Sequence, residues 1–159
     1  MRIAALAAAA LATFALAMPA AAVTVETRMS TEFQKKLDDD LGAREAKTLT
    51  EALTRKIDNA FTSAGVKAER VVVTIEDAKP NRPTFQQVSD KPGLDSFRSI
   101  SIGGARISGI AYDASGNEIG RFENKWYETD ISNAVAASTW TDARTSFDRF
   151  ARRFAAQLS

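Results

Sequence analysis

Two stretches of the chain repeat apolar residues every three or four positions. Ala46, Leu49, Leu53, Ile57 and Phe61, with Ala60 and Ala64 between them, form one stripe. Ala143, Phe147, Phe150, Ala151, Phe154 and Leu158 form the other. Each predicts a helix with a single buried face. Arg44, Glu45, Lys47, Glu51, Arg55 and Lys56 fill the polar side of the first, and Gly65 predicts its left-handed stop. Arg144, Asp148, Arg149, Arg152 and Arg153 oppose the stripe of the second. Thr139-Trp140-Thr141-Asp142 has the form of a helix start, which places the beginning of the second helix there. A shorter helical stretch, capped by Ser30 or Thr31, is predicted from Phe33, Leu37 and Leu41, with a bend at Gly42.

Other segments alternate with a period of two and predict strands. Val23 to Met29 places Val23, Val25, Thr27 and Met29 on one face. In Arg70–Asp77, Val71, Val73 and Ile75 share a face against Val72, Thr74 and Glu76. Arg98–Tyr112 carries Ile100, Ile102, Ile107 and Ile110. Its isoleucines change parity, so a glycine bulge near Gly103 or Gly104 is expected to restore register. Asp113–Asn117 predicts a hairpin turn into Glu118–Glu128, with Phe122 and Trp126 opposite Arg121, Glu123, Lys125 and Tyr127. Ala78–Leu94 holds Pro80, Pro83, Pro92 and Gly93 and is expected to be a long loop without helix or strand, tied down by Phe85 and Leu94. The resulting order is β-α-β-β-β-α. It predicts an α+β two-layer sandwich, a mostly antiparallel sheet of three or four strands with two long helices on one face.

The first 22 residues change the picture of the compartment. Ile3–Ala17 is an apolar run behind Arg2, followed by Pro19 and Ala20-Ala21-Ala22, the form of a cleavable export signal and short of a membrane span. Cleavage after Ala22 leaves residues 23–159 as one domain, periplasmic or secreted, without an integral membrane segment. Losing Arg2 takes the 21 Lys and Arg to 20, equal to the 20 Asp and Glu, so the net charge of +1 falls to zero. A neutral chain argues against nucleic acid as partner.

The chain has no Cys and no His, which excludes disulfides, thiolate nucleophiles and the usual zinc ligands and general base. Asp38-Asp39-Asp40 splays around a helix end and is not a metal site. Asp113–Glu118 lacks the glycine and glutamate spacing of a calcium loop. No catalytic residues, metal or cofactor are assigned. Core packing is expected of both tryptophans, and a solvated face of the arginines on the last helix. Glu76–Gln87 is the most distinctive string, because two prolines stiffen a loop that offers Lys79, Asn81, Arg82 and Gln86. Two readings fit it. Those four residues form a binding edge, or the loop is a stiff connection in which Arg82 pairs with Glu76 or Asp77 and Phe85 covers an end of the core.

The strings Glu76-Asp77-Ala78-Lys79-Pro80-Asn81-Arg82-Pro83-Thr84, Ser101-Ile102-Gly103-Gly104-Ala105 and Trp140-Thr141-Asp142-Ala143 resemble an uncharacterised group of exported proteobacterial envelope proteins. That group carries no activity to transfer. The element order is also similar, in topology alone, to small outer-membrane auxiliary proteins such as the plug subunit of the lipopolysaccharide translocon and the periplasmic activators of cell-wall synthases. Those are commonly lipoproteins, whereas this chain lacks the cysteine that would be lipidated. Together these features point to a non-catalytic accessory or binding protein of the bacterial envelope, not an enzyme. Its partner would be an envelope protein, or a second copy meeting it through a sheet edge or face. The alternatives are a small-ligand or lipid carrier and, behind it, a hydrolase acting through Glu76, Asp77 and Glu123.

Overall fold

The computed structural model describes residues 23–159, and the expected export signal lies outside them. Four strands form one sheet in the order β1-β2-β3-β4: Thr24–Met29, Arg70–Lys79, Gly104–Tyr112 and Glu118–Tyr127. The helices are α1 (Thr31–Lys36), α2 (Arg44–Ala64), α3 (Phe85–Asp90) and α4 (Thr141–Leu158). A π-helical turn at Leu37–Leu41 follows α1, and a 3-10 turn at Ile131–Ala134 precedes α4. The chain is therefore α+β.

The stripe of α2 buries Leu49, Ala52, Leu53, Ile57 and Phe61. Gly65 ends it at φ 64°, with Val66 N–H returning to the Phe61 carbonyl at 3.0 Å. The stripe of α4 buries Phe147, Phe150 and Phe154. Both helices pack on the sheet face that carries Val71, Val73, Ile75, Ala105, Ile107 and Ala111, all buried. Phe154 meets Phe61 edge-on at 5.5 Å and stacks on Phe122 of β4 at 6.0 Å, so one aromatic cluster ties both helices to the sheet. Gly109 admits it: a Cβ there would lie 2.8 Å from Phe150 Cζ and 3.0 Å from Val73 Cγ1.

Several expectations need correction. The sheet is mixed, because β1 pairs with β2 in parallel while β2–β3 and β3–β4 are antiparallel. The chain leaves β1, runs back along α2 and re-enters the sheet in its original direction, which a crossover helix imposes. The element order also differs from β-α-β-β-β-α, because α1 and α2 are separate and α3 interrupts the expected loop. Thr84 starts α3 with a reciprocal capping box to Gln87, a local signal that outweighs the neighbouring prolines. β3 begins only at Gly104, which leaves Ile100 and Ile102 outside it. The register does not shift at Gly103 or Gly104. It shifts at Glu76 on β2, where Ile75 faces Ile107 and Asp77 faces Arg106, and again between Ala111 and Tyr112. Finally, α4 begins at Thr141 after Trp140, whose side chain offers no acceptor for a cap, and Asn81 Oδ1 accepts the Asp142 N–H in its place.

Candidate functional site

The Lys79–Gln86 string divides into an inner and an outer pair. Asn81 is fully buried. Its Nδ2 donates to Asp142 Oδ2 at 2.5 Å and to the Ser101 carbonyl at 3.2 Å, and its Oδ1 accepts the Asp142 N–H at 2.9 Å. The Asp142 carboxyl also accepts the Gly103 N–H at 2.9 Å. Arg82 spreads its guanidinium over three carbonyls, Ala137 at 2.6 Å, Val135 at 2.7 Å and Phe97 at 2.5 Å. It pairs with neither Glu76 nor Asp77. Phe85 is 72% exposed beneath Arg44 and does not cover the core. Lys79 and Gln86 are exposed, and Gln86 bonds Asp90. The structure thus separates the four residues: Asn81 and Arg82 spend their donors inside the fold, while Lys79 and Gln86 face outward. Lys79 and Arg82 line a shallow depression of about 350 Å³ with Lys36, Asp40 and Gln87. Asp40 accepts from Gln87 Nε2 at 2.8 Å and from Lys91, and the Lys91 bond holds its carboxyl below the ordinary range. Asp40 therefore joins α3 to the π-helical turn.

A second depression, of about 370 Å³, opens where the bulge turns β2. Because Glu76 is the extra residue, Glu76 and Asp77 both emerge on the side of the sheet away from α2 and α4. Glu76 accepts from Ser108 Oγ at 2.7 Å. Asp77 accepts from Lys36 Nζ at 2.9 Å and from the Tyr127 hydroxyl at 2.7 Å. Burial alone would raise the Asp77 carboxyl. The hydrogen bonds from Lys36 and Tyr127 outweigh it, so Asp77 is held below its ordinary value. Burial and the hydrogen bond to Asp77 push the Tyr127 phenol upward. Near neutral pH, then, Asp77 stays ionised and Tyr127 stays protonated, and neither is placed to pass a proton back and forth. Arg106, Lys125 and Glu32 complete the rim. Glu123, the third carboxyl considered from the sequence, stands exposed on β4 outside this depression.

Between these ends lies the side of the sheet opposite the long helices. Val72 of β2 faces Ile110 of β3 directly, and both are half-buried although no helix covers them among the described residues. Tyr112 beside them is covered by the Arg70 guanidinium at 4.3 Å. Glu26, Arg28, Arg106, Arg121, Glu123 and Lys125 make a charged border. The sequence showed this alternation, but not the bulge that gathers Glu76, Asp77 and Tyr127. Its only trace there is two adjacent acids at the end of an apolar strand.

Trp140 is buried as expected, with Nε1 donating to Glu45 at 2.6 Å, whereas Trp126 is half-buried under Arg149 at 4.3 Å. Asp113 accepts the N–H groups of Ser115 and Asn117 at 2.9 Å, as a turn requires. Among the described residues, no three acidic side chains converge as a metal site would need, and no helix is long and apolar enough to cross a membrane. No protein-family model matches the chain, and no curated protein matches it.

Proposed function

We propose that the protein is a non-catalytic accessory protein of the bacterial envelope, exported to the periplasm or beyond. In this reading it is a two-layer sandwich whose helix-free sheet side docks another protein. The observation that carries the reading is the Val72–Ile110 pair, two apolar side chains opposed at the centre of a face that no helix among the described residues covers and ringed by charge. A small apolar centre with a polar rim is the usual anatomy of a protein-binding patch. Export rests on the apolar N-terminal run of the sequence.

The alternatives have less support. A lipid carrier needs room between helices and sheet, and that layer holds Phe61, Phe147, Phe150 and Phe154, each almost fully buried. A carboxylate hydrolase needs an acid poised to give up a proton, and Asp77 is held in the opposite state.

The test is a photo-crosslinking residue at Ile110, expressed in the native host. A discrete envelope protein should be captured there. Its purified form should then bind the wild type at least about tenfold more tightly than Ile110→Glu. Binding that is indifferent to Ile110→Glu and Val72→Asp would overturn the reading.

A further inference from the structure

The sheet has two lateral edges, and the longer belongs to β4. Backbone hydrogen bonding fixes which of its groups point outward. Glu128 N–H donates to the Gly103 carbonyl across the β3–β4 ladder, so even-numbered residues of β4 turn their amides toward β3. Arg121, Glu123, Lys125 and Tyr127 therefore direct N–H and C=O away from the sheet. The Arg121 carbonyl confirms this parity, because it is free of the ladder and accepts from Gln157 of α4 at 3.1 Å. Among the described residues, nothing bonds the outward amides of Glu123 and Lys125.

We infer that this edge pairs with β4 of a second copy of the chain, antiparallel and about a two-fold axis at Asn124. The inference goes beyond the docking reading of the helix-free face, because it stands on the β4 edge alone. In this register Glu123 lies opposite Lys125 of the second copy, and Lys125 opposite its Glu123. The amides of these residues exchange hydrogen bonds across the axis, and the two sheets become one. Each opposed pair is of opposite charge, which favours cross-strand pairing. Both side chains are exposed, and neither has an ion-pair partner among the described residues.

The competing registers are rejected by residues already named. Moving the axis to Glu123 sets Glu123 against its own copy and Arg121 against Lys125. Moving it to Lys125 sets that lysine against its own copy. Like charges directly opposed disfavour both. Moving it to Phe122 opposes Arg121 and Glu123, which would suit. There, however, the Arg121 guanidinium is already engaged by Glu118 at 2.8 and 2.9 Å, and its carbonyl is taken by Gln157. Charges on an edge strand normally guard against association. Here their alternation disfavours the registers centred on Glu123 and Lys125 and favours the one that opposes Glu123 to Lys125, and Gln157 marks where the shared ladder stops.

Sedimentation equilibrium of the purified protein over a concentration series tests this. The wild type should show a monomer–dimer equilibrium. Glu123→Lys and Lys125→Glu should each weaken it by about tenfold or more, and the double reversal should restore it. The chain has no native Cys, so Glu123→Cys mixed with Lys125→Cys should form a disulfide more readily than either variant alone. A wild type that stays monomeric, single reversals without effect, or faster crosslinking of Glu123→Cys to itself would each overturn the inference. A monomer whose Ile110 position still binds an envelope protein sinks the dimer and leaves the docking reading intact. A β4 dimer with no Ile110-dependent partner keeps the dimer and sinks the docking reading.

Discussion

Asn81 and Asp142 stand 61 residues apart in sequence and hold each other by two hydrogen bonds, Nδ2 to Oδ2 at 2.5 Å and amide N–H to Oδ1 at 2.9 Å. The pair pins the turn after β2 to the first turn of α4. Through Gly103 and Ser101 it also pins the entry to β3. Asn81→Ala would leave the buried Asp142 N–H without its acceptor and the Asp142 carboxyl with the Gly103 N–H alone, at a cost of about 3 kcal/mol. Lys79→Ala and Gln86→Ala, both exposed, should stay within about 0.5 kcal/mol of wild type. Urea unfolding of the three variants checks this, and equal losses would mean that the loop is not built around Asn81.

Gly104 and Gly109 make different demands on β3. At Gly104 the φ of 149° and a Trp126 carbonyl only 2.4 Å from any added Cβ exclude a side chain on two counts. At Gly109 the obstacle is side chains only, Phe150 and Phe154 of the aromatic cluster together with Val73. Gly109→Ala should destabilise by about 2 kcal/mol, through overpacking against Phe150 and Phe154, and Gly104→Ala by more. Pairing Gly109→Ala with Phe150→Leu should recover part of the loss, and thermal unfolding of the single and double variants measures it.

The Lys36–Asp77–Tyr127 cluster gives opposite pH dependences at its two ends. The Asp77 carboxyl is depressed in the fold, so the stability it contributes is present above its unfolded pKa of about 3.9 and is lost as pH falls through the lower folded value. Tyr127 is raised, so its contribution is present below its unfolded pKa of about 10 and is lost as pH rises through the folded value. Tyr127→Phe should cost about 1 kcal/mol at neutral pH and flatten the acid limb, because Asp77 loses one of the donors that depress it. In an alkaline absorbance titration, the phenol that ionises late should vanish in Tyr127→Phe. Carboxyl NMR of Asp77 with and without the hydroxyl provides the acid-side measurement.

The periods of hydrophobic residues settled where the long helices and the strands lie, because burying one face imposes a repeat that is visible within a dozen residues. Leu53 and Phe150 fall in the core as their stripes require, and Gly65 stops α2 where a left-handed residue is needed. The parallel pairing of β1 and the helix after Thr84 were not read from the sequence, because the direction in which a chain re-enters a sheet leaves no period and the prolines around Thr84 masked its capping box.

Tertiary structure alone decided the rest. Asn81 reads as a loop donor until Asp142 is brought to it from far along the chain, and Arg82 reads as a free cation until three carbonyls from other loops close on it. The bulge at Glu76 depends on how β2 lies against β3, and it turns two adjacent acids into one wall of a depression. Polar partners separated by dozens of residues leave no period behind them. The sequence therefore determined which surfaces are apolar, and only the packed fold determined which polar groups are satisfied inside it and which remain for a partner.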